Sequence, residues 1–153
     1  MINNDVLRSV RYILNIHDSK IVEICKLADF QITLDEVKNF LLRDEDPGFQ
    51  MCPDKTLAYF LNGVIFLKRG KDPDRPPIPI EEVMTNNIVL KKLRVAFEFK
   101  ESDILDLLHQ SGFHVSPHEL SAFFRREGHS NYRECGDQFL RNFLKGVTKK
   151  FRG

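Results

Sequence analysis

Long apolar runs are missing from this sequence of 153 residues. None approaches the ~20 residues that a membrane-crossing helix needs. The opening residues, MINNDVLRSVRY, show no basic segment followed by an apolar one, so no secretory signal is expected. Cysteine is scarce: three residues, an odd number set far apart, do not form a disulfide framework. A reduced, cytoplasmic compartment is the expectation. A dominant charge is missing too, since the net charge of +1 excludes strong global attraction to nucleic acid. The eight glycines are scattered, with neither a Gly-x-x-x-x-Gly-Lys loop nor a Gly-x-Ser-x-Gly elbow. The acidic run Asp44-Glu45-Asp46 has no histidine beside it. Alternating strand patterns and strand-flanked Asn-Gly turns are absent as well.

What is present is a repetition. "CPDKTLAYFLNGVIFLKRG" (52–70) returns as "CGDQFLRNFLKGVTKKFRG" (135–153), 83 residues later. At that shift residues 1–70 align with 84–153 without a gap, and 21 of the 70 positions are identical. This is the signature of a duplicated structural unit. The expected organisation is a first helical repeat over 1–70, a linker over 71–83 and a second helical repeat over 84–153. The linker KDPDRPPIPIEEV carries four prolines, which remove backbone donors and favour an extended chain. Charge is unevenly shared. The first repeat has 9 Lys/Arg against 10 Asp/Glu, whereas the second has 12 against 8.

Each repeat reads as four helices. Val6, Leu7, Val10, Ile13 and Leu14 form an apolar stripe over about 4–16, with Asn3 or Asn4 as the expected cap. Ile21, Val22, Ile24 and Cys25 mark a second helix over about 19–28. Thr33-x-x-Glu36 and Ser116-x-x-Glu119 read as capping boxes of the third helices, and Pro117 suits a first helical position. In the fourth helices, Leu57, Phe60, Leu61 and Val64 match Leu140, Phe143, Leu144 and Val147. The expected fold is all-α, with about eight helices in two four-helix repeats related by a pseudo-two-fold axis and burying their apolar faces against each other. Gly63 and Gly146, recurring inside helices where glycine is unfavourable, suggest a close approach of two backbones.

The stretches "NNDVLRSVRYIL", "NNIVLKKLRVAF" and "RECGDQFLRNFLKG" resemble the YehS-like bacterial proteins, a domain of unknown function, across essentially the whole chain and its duplicated layout. The resemblance implies a small cytoplasmic bacterial protein. It carries over no activity, cofactor or catalytic residue.

The candidate sites come from the residues. Cys52 and Cys135 stand where the fourth helices begin, a place that can lower a thiol pKa; the alternative is a small buried residue at a helix entrance. His114, His118, His129 and Cys135 are metal-ligand types, but their spacing fits no zinc module, so no metal or cofactor is expected. Arg11/Arg94, Arg43/Arg126 and Arg69/Arg152 recur in register. They could line a groove for phosphates or carboxylates. The more ordinary reading is internal, with Arg11 paired to Asp54 and Arg94 to Asp137. Arg141, Lys145, Lys149 and Arg152 share one side of the last helix, where they could track a nucleic-acid backbone. Phe66, at the matching place in the first repeat, would mark a protein-contact patch if exposed. A non-catalytic binding module for nucleic acid or protein is the leading expectation. A structural or protein-interaction domain, as a homodimer or partner scaffold, is the alternative. An enzyme built on the thiols and arginines comes third.

Overall fold

A computed structural model describes residues 1–153 as eight helices with no strand. They fall into two compact units, Met1–Met84 and Thr85–Gly153. The first unit contains α1 (Asn3–Leu14), α2 (Asp18–Leu27), α3 (Leu34–Leu41) and α4 (Asp54–Arg69). The second contains α5 (Asn86–Phe97), α6 (Glu101–Gln110), α7 (Pro117–Phe123) and α8 (Asp137–Arg152).

Within each unit the second and fourth helices make the most extensive contact, α2 on α4 and α6 on α8. The stripes meet there. Ile21, Ile24 and Cys25 are buried with Leu57, Phe60, Leu61 and Val64; Ile104, Leu107 and Leu108 are buried with Leu140, Phe143, Leu144 and Val147. Leu14 and Val22, expected in the stripes, lie at their margins and are half-buried.

The two recurring glycines act inside each repeat. A Cβ at Gly63 would stand 2.1 Å from the carbonyl oxygen of Ile24 on α2, and one at Gly146 would stand 3.0 Å from that of Leu107 on α6. The close approach expected from the sequence is therefore real. It joins the second and fourth helices of one repeat, not two repeats.

The first two helices of each repeat end in one kind of turn. After α1 and α5, the N–H groups of Ile16 and Phe99 reach back to the carbonyls of Arg11 and Arg94; after α2 and α6, those of Phe30 and Phe113 reach Cys25 and Leu108. Inner bonds run from Asn15 to Tyr12, Glu98 to Val95, Asp29 to Lys26 and Gly112 to His109. These are Schellman motifs, which need a left-handed residue just past the helix. The residues there are Asn15, Asp29, Glu98 and Gly112, with φ of 53°, 59°, 56° and 78°. Glu98 suits this conformation least, because a left-handed non-glycine residue costs about 1–2 kcal/mol. Glycine recovers that cost but loses more freedom on folding. Glu98→Gly is thus expected to stabilise the second repeat by about 0.5–1 kcal/mol, readable in urea denaturation. Asn15→Gly should gain less, since asparagine tolerates the left-handed region.

The helix starts follow local chemistry. At α3, Thr33 Oγ1 accepts from Glu36 N–H and Glu36 Oε1 accepts from Thr33 N–H, a complete capping box. At α7, Ser116 Oγ accepts from Glu119 N–H, but the Glu119 carboxylate accepts from the Ser116 hydroxyl in place of the reciprocal backbone bond of the expected box. Thr85 caps α5 by accepting from Ile88 N–H. Asn3 and Asn4 do not cap α1. Ile2 holds the cap position, its N–H bonded to Asp5 Oδ2 at 2.9 Å.

The proline-rich segment has no helix and is exposed over residues 71–79. Both its ends are tied to the first repeat. Lys71 Nζ donates to Leu27 O at 2.7 Å and pairs with Asp29 at 3.1 Å, while Met84 N–H donates to Asp54 Oδ2 at 3.0 Å. No helix is long and apolar enough to cross a membrane.

Candidate functional site

The paired asparagines at the head of each repeat make its densest polar contacts. Asn4 is fully buried. Its Nδ2 donates to Phe40 O and Gln50 O, at 2.9 and 2.8 Å, and its Oδ1 accepts from Cys52 N–H at 3.0 Å. Asn87 repeats this with Phe123 O, Arg133 O and Cys135 N–H. The preceding asparagines clamp the fourth helices. Asn3 Nδ2 donates to Cys52 O and Asp54 Oδ1, and Asn86 Nδ2 donates to Cys135 O and Asp137 Oδ1. Asn3 or Asn4 is the cap expected from the sequence; both, and Asn86 and Asn87 in the second repeat, instead hold the first helix against the loop before the fourth. The only local signal is the doubled Asn-Asn at a spacing of 83.

This clasp decides the fate of Cys52 and Cys135. Both are buried, as is Cys25. Burial pushes each of the two thiols up to about 12, and the carboxylates of Asp54 and Asp137 add to the rise. A reactive thiol needs the opposite shift. Their Sγ atoms face the neighbouring carbonyls of Pro53 and Gly136, at 3.7 and 3.6 Å. Both thiols are thus protonated at neutral pH, the condition of a small buried residue at a helix entrance.

Arg11 and Arg94 do form internal pairs, but with other partners than expected. Arg11 Nε binds Asp18 Oδ1 at 2.8 Å. Arg94 Nη1 lies 3.7 Å from Glu101, its Nε donates to Phe99 O, and its guanidinium covers the Phe124 ring at 4.5 Å. The left-handed turns after α1 and α5 bring the start of the next helix within reach, so Asp18 and Glu101 stand where Asp54 and Asp137 were expected. Asp54 and Asp137 are engaged by the asparagines.

Arg43 and Arg126 are exposed after the third helices, and here the repeats diverge. In the first, Arg8 pairs with Asp44 at 3.2 Å and Arg43 N–H donates to Asp46, so the acidic run serves a closed loop. In the second, Arg125, Arg126 and His129 join Glu101, Ser121 and Phe124 around an open depression of about 420 Å³. Glu101 is held there by Ser121 Oγ, which donates to Oε2 at 2.9 Å.

The last helix shows the clearest chemical face. Arg141, Lys145, Lys149 and Arg152 are all exposed, on the side away from Leu140, Leu144 and Val147. Lys149 Nζ donates to Gln110 O at 3.3 Å, at the end of α6. Beyond Asp137 the helix has no acidic residue. In the first repeat Ala58 and Asn62 are buried at the matching positions. Phe66 is half-buried, with Lys71 over its ring at 5.3 Å, so it is not the open patch considered above. The basic face belongs to the second repeat alone. Among the histidines, His114 is joined to His109, with their Nδ1 atoms 3.0 Å apart, and not to His118 or His129.

The model of a family described as "Protein of unknown function (DUF1456)" matches residues 3–70 and again 86–153. The chain is 47% identical over 150 residues to the uncharacterized protein YehS of Escherichia coli (strain K12), covering 98% of this chain and 96% of that protein. No solved structure gives a significant match.

Proposed function

The chain belongs to the DUF1456 family, whose model it matches twice, and we propose that it is a non-catalytic binding module whose second repeat contacts the phosphate backbone of nucleic acid through α8. The observation that carries this reading is the exposed row Arg141, Lys145, Lys149 and Arg152 on a helix with no acid past its first residue. From Arg141 to Arg152 the row runs about 17 Å along the axis at 1.5 Å per residue. Cations so placed release counterions when they meet phosphates, and this supplies affinity without reading sequence.

The basic row itself contains no aromatic residue. Phe151, the aromatic nearest its end, lies against Phe97 and Phe99 at centroid distances of 5.1 and 6.5 Å. Single-strand binders use free aromatic platforms. Binding is therefore expected to ignore base sequence and to show no preference for single strands.

The test is fluorescence anisotropy of labelled duplex DNA and single-stranded RNA at several salt concentrations. Four phosphate contacts predict a log–log salt slope near −3.6 on duplex DNA, roughly −0.9 per contact. Changing Arg141, Lys145 and Lys149 to alanine should remove about three of those contacts. Absence of binding at low salt would sink the reading and turn attention to protein partners.

A further inference from the structure

His109 and His114 form an arrangement that the polyanion reading does not use. His109 sits in the last turn of α6, and His114 follows the Schellman turn made by Phe113 N–H to Leu108 O and Gly112 N–H to His109 O. Gly112, left-handed at φ 78°, folds the chain back so that the second imidazole stands over the first. The rings meet edge to face, with centroids 4.5 Å apart and planes at 72°, and the Nδ1 atoms are 3.0 Å apart. Both residues are exposed.

Water already satisfies exposed imidazoles, so a hydrogen bond between them gains little. What the turn fixes is the 3.0 Å approach of two ring nitrogens, each able to ligate once the proton between them has moved away. With metal–nitrogen bonds of about 2.0–2.1 Å, nitrogens 3.0 Å apart subtend roughly 95° at a shared ion. That angle matches adjacent positions of a square-planar or octahedral ion and is narrow for a tetrahedral one. We propose that His109 and His114 bind one divalent late transition-metal ion of the nickel or copper type through their Nδ1 atoms, with water in the remaining positions. In the metal-free pair one Nδ1–H donates to the other Nδ1. On binding, the donor imidazole carries its proton on Nε2 instead, so both Nδ1 lone pairs face the metal and no net proton is lost. The turn itself is common to both repeats, since Phe30 N–H reaches Cys25 O and Asp29 N–H reaches Lys26 O. There it presents Lys26 and Gln31 at the matching positions, so the site is confined to the second repeat.

The test is calorimetric titration of the full chain, free of any affinity tag, with Ni²⁺. One ion per chain is expected. His109→Ala and His114→Ala should each weaken binding roughly tenfold or more, a loss at least as large as that from removing a supporting group. His118→Ala, an exposed histidine outside the pair, should leave it unchanged. The copper-loaded protein should show two equivalent nitrogen couplings by electron paramagnetic resonance, and one in either single variant. Unaltered affinity in the two pair variants, or no Ni²⁺ binding by the unaltered chain, overturns the proposal. The substituted side chains are exposed, and thermal melts of the variants confirm that loss of metal is not loss of fold.

Discussion

Asn4→Ala is expected to destabilise the first repeat by about 3–5 kcal/mol, and Asn87→Ala the second by a comparable amount. Each asparagine donates to two carbonyls and accepts from one N–H, and Asn4 is wholly shielded from water. Alanine leaves those three backbone groups without their partner. An unmet buried polar group costs about 1–3 kcal/mol, and partial entry of water keeps the total below a simple sum. Such a loss is a large share of the 5–15 kcal/mol that holds a typical domain folded. Asn3→Ala should cost less, since its contacts are only part-buried. Urea denaturation followed by circular dichroism measures the series. Equal effects at Asn3 and Asn4 would show that the buried triad has no special weight.

Gly63→Ala is the second large effect, and its interest lies in the contrast with Gly146→Ala. The added methyl at residue 63 would sit 2.1 Å from a backbone oxygen of α2, a group that cannot rotate away. The helices must separate, which opens the contact between Ile24 and the Leu57, Phe60 and Leu61 stripe. Overpacking typically costs about 1–3 kcal/mol, and a rigid backbone neighbour places this case at or above the upper end. At residue 146 the nearest atom is 3.0 Å away, so a shift of a few tenths of an ångström suffices and the expected cost is about 1 kcal/mol. Thermal melts of the two variants should rank them in that order. A reversed ranking would contradict the helix spacing described here.

Much of this architecture was legible in the chain because it depends on short-range periodicity. Leu57, Phe60, Leu61 and Val64 are buried as their spacing requires, and Arg141, Lys145 and Lys149 are exposed for the same reason. The duplication needed only an alignment at 83. What escaped sequence reading depends on long-range partners or on backbone signs. Asn4 looks like a helix cap because a capping asparagine and a buried clasp have the same local sequence; its partners lie 36 to 48 residues away. The sequence points Arg11 to Asp54 because nothing nearby marks Asn15 as left-handed, and that turn delivers Asp18 instead. The pairing of His109 with His114 has no helical signature, because a spacing of five fits no helical face. Gly112 between the two histidines was the available sign, since a helix-ending glycine reverses the chain at that point.

The asparagine clasp also bears on the order in which each repeat is assembled. Asn4 and Cys52 are separated by 48 positions, and so are Asn87 and Cys135. The first helix of a repeat therefore cannot seat its asparagine until nearly the whole repeat has emerged, whereas the turns after α1 and α2 close over five residues as soon as they are made. Closing the long loop carries an entropic cost that the short turns do not. During synthesis, the clasp of the first repeat is completed only once residue 52 is available, so it closes after the short turns.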